Sequence, residues 1–227
     1  MLELMVALAF SGAGCGYEGA VYAEGRAVDP ASGELVYCEY HLPAADDGRR
    51  VLYYSAAGHR IAEKTLRGID SSLPEVKQND FRHGEQRKIT RVGTQLSLQY
   101  RESGKAALES ERLPLRELEV ADAGFDHFVR EHWGDLVAGE PVRFDFASPV
   151  HGRAITLRAQ QSPCPQGQSD ALCLRVEPAA ALLRLFAGEL NLVYSLGTRR
   201  LQVFEGVVNL LDDRGDNQTL RIRYRYP

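Results

Sequence analysis

The most chemically capable residues in this chain lie in one short run, His127-Phe-Val-Arg-Glu131-His132. Two histidines and a glutamate on a helix are the parts of a zinc hydrolase, in which both imidazoles point at one ion and the carboxylate moves a proton. That geometry needs histidines four apart; these stand five apart and diverge around the helix. His127 and Glu131 share a face at i, i+4 and read as a surface pair, while His132 falls on an apolar stripe and reads as a core or rim histidine. A second acid–base candidate is the polar stretch around Arg82-His83. His41, His59 and His151 fall in separate strands or loops without a typical Ser or Cys neighbourhood, and no Gly-x-Ser-x-Gly elbow occurs. Together these residues define one alternative: a metal- or acid/base-dependent hydrolase using the His127/Glu131/His132 helix or the His83 loop.

Weaker patterns fail on their surroundings. Gly12-x-Gly14-x-Gly16 stops one step short of a dinucleotide fingerprint, and the strand-like Tyr17–Tyr22 follows where a helix N-terminus is required. Asp212-Asp213-x-Gly215-Asp216 lacks the spacing and terminal Glu of a calcium loop and reads as a hairpin turn. No cofactor is expected. The four cysteines are 15, 38, 164 and 173. Cys164 and Cys173 bracket a polar turn and are placed to form a disulfide in an oxidising compartment; nothing completes a zinc set. Cys15 follows small residues, as the acylated cysteine of a lipoprotein does, although Gly12 stands where Leu is usual. Asn217-Gln-Thr219 is a glycosylation triplet, meaningful only in a host that modifies secreted chains.

Aromatic residues offer a different chemistry. If a sheet rolls up with a helix across its mouth, Tyr53, Tyr100, Phe128, Trp133 and Tyr194 could line an apolar pocket; the more common fate of such residues is to fill a core. The closing run Leu220-Arg-Ile-Arg-Tyr-Arg-Tyr226 alternates strictly, so its arginines, Arg221 and Arg223 among them, share one face. That face is either solvated or a basic stripe for an anionic lipid or polymer.

What must position these residues is mostly strand. The chain has 227 residues with 44% hydrophobic and 26% charged, ordinary values for one substantial folded domain, and a net charge of -4, which argues against a nucleic-acid partner. From Tyr17 to Thr94 short β-like runs alternate with turn clusters, as in an antiparallel meander. Residues 67–88 read as a long polar loop. Thr94, Leu96, Leu98 and Tyr100 face one way and Gln95, Ser97, Gln99 and Arg101 the other, a strand with one wet face. Residues 123–138 form an amphipathic helix with Asp122 as N-cap, and Pro178–Ala187 a second helix punctuated by Pro and Gly. Strands resume at Val142–Phe146, Ile155–Leu157, Leu172–Val176, Leu190–Tyr194, Leu201–Leu211 and Thr219–Tyr226. Pro114 is the likeliest internal boundary, inside one domain.

The fold expected is therefore α+β and β-rich: a strongly bent antiparallel sheet of about ten strands, half-barrel or barrel-like, carrying two amphipathic helices. Residues 1–15 are expected to be a signal or lipoprotein-signal segment, although Glu3 stands where a basic residue is usual, and 16–227 a single domain.

Gly124-Phe-Asp-His-Phe-Val-Arg-Glu-His-Trp133, Leu136, Gly139, Val142-Arg-Phe-Asp-Phe146 and Leu201-Gln-Val-Phe-Glu-Gly206 with Asn209 resemble a family of uncharacterised exported proteins of Gram-negative bacteria. The resemblance runs from about Val51 to the C-terminus. It implies an envelope location, periplasmic or at the outer membrane, and a β-rich fold, and brings no catalytic residue. The leading expectation is a non-enzymatic envelope protein that binds an apolar, lipid-like ligand or an envelope partner on its concave side, with peripheral membrane contact. A scaffold that adds a strand at its C-terminal edge is the third alternative.

Overall fold

The structure is a computed structural model that describes residues 14–165, 170–180 and 188–227. The segment 1–13, expected to be a signal, and 181–187 of the second expected helix lie outside the described residues. Among the described residues fifteen strands form one sheet. The first eight are β1 (Ala23–Val28), β2 (Leu35–His41), β3 (Gly48–Ser55), β4 (Arg60–Arg67), β5 (Glu75–Asp80), β6 (Gln86–Val92), β7 (Gln95–Arg101) and β8 (Glu109–Pro114). The rest are β9 (Val120–Ala121), β10 (Val142–Ser148), β11 (Arg153–Gln161), β12 (Ala171–Pro178), β13 (Leu190–Ser195), β14 (Leu201–Val207) and β15 (Thr219–Arg225). Every pairing is antiparallel except the two-residue contact of β9 with β10.

The order across the sheet is β8-β7-β6-β5-β4-β3-β2-β1-β15-β14-β13-β12-β11-β10-β9. Each strand thus lies beside its neighbour in sequence, β1 joins β15, and the one break falls between β8 and β9. A short 3-10 turn at Leu115–Glu117 crosses that seam, and Glu119 N donates to Asp145 O at 3.0 Å beyond it. The sheet is curled but not closed, the α+β, strongly bent architecture the alternating runs predict.

Two segments fill its inside. The helix expected over 123–138 is α1 (Gly124–Glu131) and α2 (Trp133–Val137), broken at His132. Their apolar stripe packs Phe128, Val129, Trp133 and Leu136 against Phe144, Leu172, Leu174, Leu192 and Tyr194. Ring contacts knit the cluster, with Phe128 4.9 Å from Phe144 and Trp133 6.1 Å from Tyr194. At the start of α1, a Cβ on Gly124 would sit 2.1 Å from Ser72 O, so only glycine admits this approach to the β4–β5 connection.

The second filler is a strap. The strand expected over 201–211 ends at Val207, and the chain then turns inward, burying Val208 and Leu210 with Tyr37, Val51, Tyr53 and Ile222. Other expectations are corrected too. The loop expected over 67–88 contains all of β5 and the start of β6, because Glu75–Asp80 alternates between a solvated side and a buried side occupied by Val76, Gln78 and Asp80. Two of those three buried residues are polar, which hides the strand from a hydrophobic count. Pro178 belongs to β12 rather than to a helix start. The C-terminal strand has no free edge, since β15 is hydrogen-bonded to both β1 and β14, which overturns strand addition there.

Candidate functional site: a polar belt beneath an interior strap

Register fixes which side chains share the concave face. Tyr224, Gly25, Glu39 and Tyr53 are successive cross-strand partners from β15 to β3. One row along, Val51, Lys64, Gln78, Arg87 and Tyr100 continue from β3 to β7. A polar belt thus crosses the inside of half the sheet, with Glu39, Lys64, Gln78, Asp80 and Glu85 all buried. Burying charges is costly unless each is paired and hydrogen-bonded, so the partners decide whether such a belt can exist.

Lys64 Nζ lies 2.7 and 3.0 Å from the two Asp122 carboxylate oxygens, with side-chain exposures of 6% and 13%. Asp122 therefore anchors the helical filler to the sheet; the N-cap position falls on Ala123 and has no side-chain cap. Asp80 accepts from Arg82 N, Nε and Nη2 at 2.9, 3.1 and 2.7 Å, and Arg82 also reaches Leu211 O at 2.7 Å and Asp213 at 3.0 Å. Gln78 Nε2 donates to Asn209 O at 3.1 Å, and His83 Nε2 sits 2.8 Å from Asp212 O. The strap is thus held by side chains of β5, β6 and the turn between them. Glu85 takes Arg87 Nε and Nη2 at 2.9 and 2.7 Å; burial pushes its carboxyl above the usual range against the pull of Arg87. Gln78 Oε1 and Glu85 Oε2 have no hydrogen-bond partner among the described residues.

A second cluster surrounds Glu39, which accepts from Tyr37 at 3.4 Å and Tyr224 at 3.0 Å and lies 3.1 Å from His41 Nε2. Gly25 makes room for it, since a Cβ there would stand 2.9 Å from the Tyr224 ring and 3.2 Å from Glu39 Oε2. Burial, reinforced by the Glu39 charge, raises the Tyr37, Tyr53 and Tyr224 hydroxyls well above their ordinary range. This cluster can hold and share a proton, but no serine or cysteine faces it in these contacts.

The residues singled out from sequence do not converge. Phe128, Trp133 and Tyr194 are buried in the helix-filled core, Tyr53 in the strap-filled one, and Tyr100 stands half-buried near Glu85. Arg221 and Arg223 lie on the opposite, outer face; Arg221 is 2.5 Å from Glu205, and Arg225 is 2.7 Å from Glu24. His127 and Glu131 pair at 3.3 Å on the helix surface, and His132 leans on the Phe128 ring at 4.4 Å beside Asp135. Among the described residues no cluster of His, Cys, Asp and Glu is arranged to hold a metal ion. Ser148 Oγ does lie 2.8 Å from His151 Nδ1, a local turn contact three residues apart in which no acidic group among the described residues holds the other ring nitrogen. A cleft of about 960 Å³ opens among the β2–β3 turn, the end of β4 and Ser71–Glu75, lined by Leu42, Asp47, Arg49, Arg67, Leu73 and Arg91; none of the expected ligand-binding aromatics lines it.

The cysteines form two bridges, Cys15–Cys38 and Cys164–Cys173. The first clamps the N-terminal segment over the outer side of β2 and β3, where Tyr17 lies 5.4 Å from Tyr40 and 6.3 Å from Tyr54. The Cys15 sulfur, the atom expected to be acylated, is here bonded to Cys38. No helix among the described residues is long and apolar enough to cross a membrane, a statement that does not extend to strands. No protein-family model, curated protein or solved structure matches the chain.

Proposed function

We propose that this protein is a non-enzymatic component of the cell envelope that binds an envelope partner through the outside of its sheet. The observation that carries this reading is the filled interior. Helices α1 and α2 occupy one half of the concave side and the strap from Val208 to Asp213 the other, each fastened by buried contacts. An apolar small molecule in the concave side, the alternative occupant, would have to displace one of these segments. Displacing the strap would present it with Lys64, Gln78 and Asp80 beside the apolar Tyr37, Val51, Tyr53 and Ile222, a wall of mixed polarity.

The pairing of all four cysteines supports an oxidising compartment. The test expresses the full chain in a Gram-negative host and traps free thiols with an alkylating agent in each cell fraction. The expected result is an envelope-fraction protein with no reactive thiol, which yields discrete cross-linked adducts from a photoreactive residue placed on the outer face of the sheet. A cytoplasmic protein with reduced cysteines would overturn the reading. So would reproducible hydrolytic turnover lost on substitution of His41 or His151.

A further inference from the structure

The outer surface of β3 to β8 has a charge that the chain as a whole does not share. Register places Arg50, Thr65, Lys77, Lys88, Gln99 and Ser110 in one row across six strands, on the side away from the polar belt. Lys77 and Lys88 are direct cross-strand partners, and both are exposed. Like charges directly opposite one another oppose pairing of the two strands. In the rows on either side, Arg67 on β4, Arg112 on β8 and Arg101 on β7 project from the same face.

Two carboxylates share this surface, Glu63 and Glu75, the second directly opposite Arg67 in the register. Glu63 holds Arg50 and Arg60, and Glu75 Oε1 accepts the Arg91 backbone N–H at 2.7 Å. Among the described residues no ion pair reaches Arg67, Lys77, Lys88, Arg101 or Arg112. The face is therefore strongly cationic in a chain of net charge -4. By contrast, the arginines of β15 are largely neutralised, through Glu205 and Glu24.

Resting on the envelope reading above, we infer that the outer face of β3–β8 docks the protein onto an anionic phospholipid surface. The face spans six strands, about 24 Å at the usual strand spacing. Its cations are spread in two dimensions, with lysines rather than bidentate arginines at the centre. Mobile ammonium groups on an open sheet surface match a fluid layer of phosphate headgroups, where each cation near the surface adds attraction. The opposed lysines lose their mutual repulsion when headgroups lie between and above them.

The test sediments the full chain with vesicles of phosphatidylcholine alone or with phosphatidylglycerol added, at low and at high salt. The expected result is binding only to the anionic vesicles, weakened by salt. Lys77→Glu/Lys88→Glu should reduce that binding at least roughly tenfold, as should Lys77→Gln/Lys88→Gln to a smaller degree. Arg223→Glu/Arg225→Glu, which changes net charge equally on the outer side of β15, away from β3–β8, should leave it nearly unchanged. Far-ultraviolet circular dichroism confirms that each variant folds. No binding to anionic vesicles, or equal loss in both charge-reversed pairs, overturns the docking inference. If adducts from the outer face then identify an acidic envelope protein, the envelope reading stands without it; if the chain is also cytoplasmic with reduced cysteines, both fall.

Discussion

Under β10 to β14 the concave face meets α1 and α2 through Phe128, Val129, Trp133 and Leu136, whereas under β1 to β6 it meets the strap through Gln78, Asp80 and Arg82 as well as Val208 and Leu210. Both halves exclude water, by different means. The helical half uses shape and apolar area, which are forgiving of small displacements because any close-packed arrangement gains. The strapped half uses directed contacts, an amide to one carbonyl and a guanidinium to another, and beside them Lys64 of the polar belt holds the Asp122 carboxylate at the start of α1. A strap shifted by one residue would lose the contacts of Gln78 to Asn209 O, of Arg82 to Leu211 O and of His83 to Asp212 O, so the polar contacts specify position more than they add net stability.

That contrast can be broken by substitution. Phe128→Ala should cost about 3–5 kcal/mol in urea unfolding, as for other large-to-small changes in packed cores. Lys64→Met should cost a comparable amount, about 3–5 kcal/mol, because it strands the Asp122 carboxylate. Adding Asp122→Asn to Lys64→Met should restore part of that loss, whereas no second polar change rescues Phe128→Ala. A Lys64→Met protein as stable as the parent would show that the belt is not closed to water, and the comparison would collapse. Cys15→Ser/Cys38→Ser should cost about 2–4 kcal/mol by releasing the N-terminal clamp, with little effect on either filler.

Alkaline pH sharpens the same comparison. Tyr37, Tyr53 and Tyr224 in the strapped half, and Tyr194 in the other, have hydroxyls raised well above the ordinary value by burial. Below about pH 10 both the folded and unfolded chains keep these protons; above it the unfolded chain releases them first. Stability should therefore fall as pH rises past about 10, by up to about 1.4 kcal/mol per pH unit for each tyrosine. Replacing Tyr37 with Phe should flatten the decline measurably. The smallest effect expected is from Asn209→Ala, under about 1 kcal/mol, since its side-chain contacts to Arg87 and Asp122 are each 3.4 Å and its carbonyl remains to accept Gln78.

Legibility followed the same division. The helical half was readable because Phe125, Phe128, Val129, His132 and Leu136 recur at helical spacing, and β7, β10 and β15 because apolar residues alternate in them. The strand β5 reads as loop in sequence because Gln78 and Asp80 take core positions, and polarity alone cannot distinguish a wet residue from a buried, paired one. Asp122, expected as N-cap, instead stands one residue before the N-cap Ala123, and its partner Lys64 is 58 residues away in sequence, beyond any local pattern. The strap failed for a related reason: Val203 to Leu211 is apolar enough to be one strand, and its departure at Gly206 and Val207 is visible only once β15 is seen to end its pairing at Thr219. The aromatics proposed for one pocket were chosen by type, and type does not report which side of a curled sheet a residue joins.

The pairing of β1 with β15 sets an order of events. Strands β2 to β8 and β10 to β14 can each form from hairpins local in sequence, but β1 cannot gain its second neighbour until Arg221–Arg225 exist. Contacts this distant in sequence form slowly, because a long loop must close first. A chain made or exported from its N-terminus therefore carries an unpaired β1 edge until Arg221–Arg225 arrive. The final strand acts as the zip that joins two independently grown halves, and a truncation of only those residues would leave two open edges in the middle of the sheet rather than one shortened end.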